Sequence, residues 1–186
     1  MMSKIFSNKS FIYFVLKFIF IFCFIYFGTK LIIGLSNPGG FYSQFIHNYF
    51  DYVSWIKSSL MNGAQLVVKL FGYNSLKEEH FILRIANGRG VIISQGCVGY
   101  GVMSFWCAFI LSSQHNFTRK TIWCISGLLI IWMINVIRIG LFLVAINKGW
   151  KMPLGIDHHT WFNIFAYTAI FLMIFFYEKS ITKNES

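Results

Sequence analysis

The chain has 186 residues, 56% hydrophobic and only 12% charged, with a formal net charge of +10. Soluble domains carry roughly 25% charged residues, and here the apolar residues are blocked into long runs with a mean hydropathy of +0.62, so a soluble domain is excluded. The basic residues are scattered singly and form no patch of the kind phosphate binding needs, which argues against nucleic acid as a partner.

In a membrane protein such residues mark helix ends and meet anionic headgroups. The abundance of Phe, Ile, Lys and Asn reflects an AT-rich genome rather than a function. The four cysteines, Cys23, Cys97, Cys107 and Cys124, show no CxxC pair and no zinc spacing. Three of them fall in lipid-depth runs, where a thiol serves as a small hydrophobe.

A spanning helix needs roughly 20 apolar residues. Residues 11–35 supply the first, with Lys17 and Lys30 able to snorkel. The run is too long for a signal peptide and no small-residue cleavage site follows, so it reads as an uncleaved first helix. Residues 36–97 read as an extracytoplasmic segment. The turn Asn37-Pro38-Gly39-Gly40 opens it. Residues 41–73 place Phe41, Phe45, Tyr49, Val53, Ile56 and Leu60 at helical spacing, the pattern of amphipathic helices at the membrane interface. Residues 80–94 alternate loosely around Asn87-Gly88, which predicts a β-hairpin or extended loop.

The second span falls at residues 98–113, the third at 121–147 and the fourth at 159–177. The fold class is therefore an all-α membrane protein, a single integral membrane domain over residues 1–186 with four spans. Lys4 and Lys9, Arg119 and Lys120, and Lys179 and Lys183 favour cytoplasmic termini. Lys57, Lys69, Lys77, Arg84, Arg89, Lys148 and Lys151 fall on the other side.

This topology brings three reactive residues to one depth. Cys97 stands immediately before the second span. Arg138 lies 17 residues after Thr121, ~26 Å up a ~30 Å hydrocarbon layer at ~1.5 Å per residue. His158 and His159 stand at the entry to the fourth span. A lone cysteine is usually a packing residue, but Cys97 is flanked by Gly96 and Gly99, which let a substrate approach closely. It also stands at a helix N-terminus, a position that favours a nucleophilic thiolate. An arginine inside a spanning helix is costly to bury and marks a functional site. Asn135 is one turn earlier on the same face, placed to orient the guanidinium or a substrate, or to bond a neighbouring helix. Asp157 stands where it can orient a histidine or cap the fourth helix. Adjacent histidines are poorly spaced for a shared metal. His47, His80 and His115 show no partners in the sequence. A thiol and an imidazole are the minimum for nucleophilic acyl transfer, and an arginine beside them can hold charge on a carbonyl oxygen.

Taken in order, Cys97-Val98-Gly99, Asn135-Val136-Ile137-Arg138 and His158-His159 resemble the motifs of the exosortase/archaeosortase family of membrane-embedded cysteine transpeptidases. The likeness covers residues 92–177 well and the first ninety loosely. Many members have around eight spans, so this chain resembles a compact bacterial variant. The family histidine is followed four residues later by Gly and eight later by an aromatic. Counting from His159 gives Asn163 and Tyr167, so the aromatic is kept and the glycine is not.

The resemblance implies Cys97 as nucleophile, Arg138 as oxyanion or substrate stabiliser and His159, with His158 as the alternative, as general acid/base. Gly99, Asn135 and Asp157 support them, with no metal and no organic cofactor. It implies exported protein substrates ending in a short motif, a transmembrane helix and a basic tail. Cleavage would occur at the extracytoplasmic face of the bacterial inner membrane, with a glycan or lipid as possible acyl acceptor. Two other readings fit the same residues: a non-catalytic assembly subunit that uses Arg138 to grip a partner helix, and a metal or redox protein built on Cys97 and the two histidines.

Overall fold

In the computed structural model, residues 9–37, 41–150 and 158–182 are described, except the side chains of residues 158, 159, 162, 181 and 182. In chain order the elements are α1 (Lys9–Ser36), α2 (Gln44–Phe50), α3 (Tyr52–Leu70), β1 (Ser75–Glu78), β2 (Ile82–Ile85), β3 (Gly90–Ile92), α4 (Tyr100–Ser112), α5 (Phe117–Lys148) and α6 (His158–Thr182). Two 3-10 turns, Glu79–Phe81 and Gln95–Val98, join them. Three stretches are long and apolar enough to cross a membrane: Lys9–Ser36, Gln95–Ser112 and Phe117–Lys148. The protein is thus mostly helical, with three candidate spans and a small three-stranded sheet.

Two compact units form, one from residues 1–51 and 100–128, the other from 52–99 and 129–186. In the first, α1 and α4 run antiparallel. Phe14 meets Phe109 edge-on, Phe18 meets Phe105 edge-on, and Tyr26 stacks on Tyr100. These aromatic and β-branched residues are weak helix formers in water, but a lipid environment forces every backbone group to bond within its own segment. The polar side chains obey the same demand. Thr29 donates to Ile25 O at 2.8 Å and Ser104 to Tyr100 O at 2.7 Å. The Trp106 indole donates to Trp123 O at 3.0 Å, tying α4 to the start of α5. His47 does have partners: Nδ1 lies 3.0 Å from Ser36 O and 3.8 Å from the Asp51 carboxylate.

In the second unit, α3 buries a stripe of Val53, Leu60, Gly63, Ala64 and Val68. Burying a Leu or Val side chain contributes roughly 1.5–3 kcal/mol. The stripe faces α5. A Cβ on Gly63 would come 2.7 Å from Val136, and one on Gly140 would come 2.6 Å from Val67. Trp132 donates to Ser59 Oγ at 3.0 Å. Ser59, Gly63 and Val67 thus meet Trp132, Val136 and Gly140 four residues at a time, so the two helices point the same way. The small-residue face of α3 packs on protein, and Trp55, Leu66 and Leu70 stay exposed.

The expected hairpin is present as β2 and β3, joined through Asn87, whose φ of 59° is the left-handed value this turn requires. The sequence reading had no counterpart for β1, which pairs antiparallel with β2. Arg84 clasps Glu78 across them, Nε to Oε1 at 2.6 Å and Nη2 to Oε2 at 3.3 Å. That carboxylate raises the arginine pKa. Gln65 on α3 donates to Ser75 O, and Lys57 lies over the Phe81 ring. Asn147, near the end of α5, accepts from Arg89 N–H at 2.7 Å and donates back to Arg89 O at 3.2 Å.

Candidate active site

The chain leaves β3 through buried Ile93 and enters the turn that carries Cys97. Cys97 N–H donates to Ser94 O at 3.0 Å, closing that turn. Ser94 Oγ lies 3.5 Å from Cys97 Sγ. Gly99 ends the turn with φ +70°, a left-handed conformation that glycine adopts without a Cβ penalty. The α4 helix opens only at Tyr100, so Cys97 sits in a 3-10 turn three residues ahead of it.

Asn135 holds the turn from α5. It is fully buried, and its Nδ2 donates to Val98 O at 3.1 Å. A Cβ on Gly99 would come 2.9 Å from that same nitrogen. The two motif residues are therefore complementary: one supplies the bond and the other the space for it. Among the described residues Asn135 Oδ1 has no hydrogen-bond partner.

Arg138 follows one turn along α5, and its guanidinium is a charged neighbour of the Cys97 thiol. Both line one groove of about 420 Å³. One wall is Gly90, Val91, Ile92 and Ser94. The other is Arg138, Ile139, Phe142 and Ile146 of α5. Cys97 is only 8% exposed, and that exposure opens into the groove. A fixed cation beside a thiol stabilises negative charge as it develops at the reacting atoms, and an apolar wall strengthens that effect.

Of the residues expected from the sequence, the structure gathers Cys97, Gly99, Asn135 and Arg138. His158 and His159 are the first residues of α6, and their side chains lie outside the described residues, as does Asp157 entirely. Sequence reasoning missed Ser94 and the apolar wall. The signals were there: Ser94 is three residues before Cys97, and Arg138, Phe142 and Ile146 repeat every four residues along one helix face. No protein-family model matches the chain, no characterised protein matches it, and no solved structure matches its fold.

Proposed function

We propose that the chain is an exosortase-like cysteine peptidase or transpeptidase that cleaves membrane-anchored exported proteins beside their C-terminal transmembrane helix. The observation that carries this reading is that the Cys97 thiol and the Arg138 guanidinium line one groove, large enough for several residues.

In this mechanism His159 takes the thiol proton, with His158 as the alternative. Cys97 Sγ attacks the carbonyl carbon, and the carbonyl π bond becomes an oxyanion held by Arg138. The oxyanion collapses, the C–N bond breaks, and the departing amine leaves with the proton from the histidine. The thioester on Cys97 then passes its acyl group to water or to a hydroxyl or amine acceptor, and the thiol is regained. A bilayer suits the task, because a substrate helix held in the same membrane delivers its cleavage site at a fixed height.

The test is co-expression with an exported protein that ends in a short motif, an apolar helix and a basic tail. Cys97→Ser is expected to cut processing by ~10³-fold or more, so that the uncleaved precursor accumulates on immunoblots. Arg138→Lys is expected to lose about 10²-fold or more, because an ammonium cannot reproduce the planar donor fork. Normal processing by Cys97→Ser would sink the peptidase reading in favour of a non-catalytic subunit.

A further inference from the structure

The groove wall opposite α5 is the edge of a sheet. Strand order is β1-β2-β3, and among the described residues no strand lies beyond β3. Ile93 N–H bonds Phe81 O, and Ile85 N–H bonds Arg89 O. In an antiparallel ladder, bonded pairs alternate with non-bonded ones. Val91 is therefore bonded to Leu83, while Gly90 and Ile92, opposite Arg84 and Ile82, turn their backbone groups away from β2. Ile92 O is engaged by Ser94 N–H at 3.1 Å. Gly90 N–H, Gly90 C=O and Ile92 N–H remain on the outer edge, beside the groove that holds Cys97. A row of backbone donors and acceptors spaced two residues apart complements an extended polypeptide.

We infer that the substrate binds as an added strand along β3, running parallel to it, with the residues that precede the scissile bond in the groove. This inference rests on the peptidase reading. The direction comes from the anchor. A C-terminally anchored substrate descends toward the bilayer, as does α5 read backwards from Ile146 to Arg138. It passes Ile146 and Gly90 first and reaches Cys97 last, the direction in which β3 runs. The eight residues from Arg138 to Ile146 rise ~12 Å, room for three to four extended residues at ~3.3 Å each. Val91, Phe142 and Ile146 favour apolar side chains at those positions.

The probe is acetyl-Val-Ala-Val-Ala chloromethyl ketone, compared with acetyl-Ala chloromethyl ketone, on the purified full chain in nanodiscs. Cys97 Sγ displaces chloride and the thiol proton goes to solvent; adducts are mapped by mass spectrometry. The expected result is Cys97 alkylation about 10-fold or more faster with the longer reagent, the gain two edge hydrogen bonds supply. Ile92→Pro removes an N–H that the ladder does not use. It is expected to abolish the length gain, read as the ratio of the two chloromethyl ketone rates on the same variant, while Ile92→Ala keeps the gain. Should Ile92→Pro not fold, N-methylation of single residues in the longer reagent decides on the unaltered chain. Loss of the gain at alternate residues supports strand addition; uniform tolerance overturns it. Cys97 that reacts with iodoacetamide but shows no length gain overturns this inference alone. Cys97 inert to every reagent overturns it together with the peptidase reading.

Discussion

Gly99 and Asn135 show how one residue's freedom depends on another's reach. Asn135 bonds the carbonyl of the residue before Gly99, from the space a Cβ on Gly99 would take. Gly99→Ala meets two penalties. A non-glycine residue in the left-handed region costs roughly 1–2 kcal/mol, and the new Cβ presses on Asn135 Nδ2. The expected outcome is a less stable protein by ~2 kcal/mol or more, read by thermal unfolding in detergent. Asn135→Ala leaves Val98 O buried without its donor, at about 1–3 kcal/mol. Both variants free the turn that carries Cys97, so the iodoacetamide rate at Cys97 should change with either. An unaltered rate in both would mean that the turn is held by something other than this pair. Asn135 was legible as Arg138's neighbour one helical turn earlier, but its bond to the cysteine turn was not, because that contact joins residues 37 positions apart.

The candidate spans were the most legible elements, because a long apolar run has few other solutions. The 11–35 run became Lys9–Ser36 and the 121–147 run became Phe117–Lys148. The second began two residues later than expected, at Tyr100, since Gly99 breaks the helix before it. The hairpin was legible through Asn87-Gly88. The polar stretch Ser75–Glu78 was not, for an exposed edge strand carries no hydrophobic alternation. Nor was the approach of Cys107 to Cys124, 3.3 Å apart between α4 and α5. Residues 41–73 gave the right helical period, but a period does not say whether a face meets lipid or protein. The contact at Gly140 settles that for α3 and yields a paired test. Gly140→Ala is expected to destabilise by about 1–3 kcal/mol through overpacking against Val67. Val67→Ala in the same chain should restore most of that loss, giving a coupling energy of about 1 kcal/mol or more in a double-mutant cycle. Additive losses would mean the helices separate rather than repack.

At the scale of the molecule, the length of α5 frames the question of sidedness. Its 32 residues rise ~48 Å, while a hydrocarbon core is ~30 Å thick. Its last turns can therefore stand clear of the lipid tails, and Arg138, 21 residues beyond Phe117, lies ~32 Å along the helix. Several of the basic residues that disturbed the charge rule are occupied. Lys57 covers the Phe81 ring, Arg84 clasps Glu78, and Lys148 lies 5.9, 5.8 and 5.4 Å from the centres of the Phe71, Tyr73 and Trp150 rings. They are structural cations of a folded segment, and the rule counts the residues of short loops. The remaining charges carry the expectation that residues 36–97 lie outside and the loop at 114–120 inside. The α6 helix has 25 residues, ~37 Å, a length that would cross a bilayer, and the four-span expectation then puts the C-terminus on the inner side. Glu79→Cys should gain labelling by a membrane-impermeant maleimide in intact cells, while His115→Cys should gain it only after permeabilisation. A green fluorescent protein fused after Ser186 should fluoresce, and alkaline phosphatase fused there should be inactive. A fluorescent fusion combined with His115→Cys labelling in intact cells would break the four-span path. Labelling of His115→Cys alone, with Glu79→Cys protected, would invert the protein and put the Cys97 groove on the cytoplasmic face, where an exported substrate could not reach it.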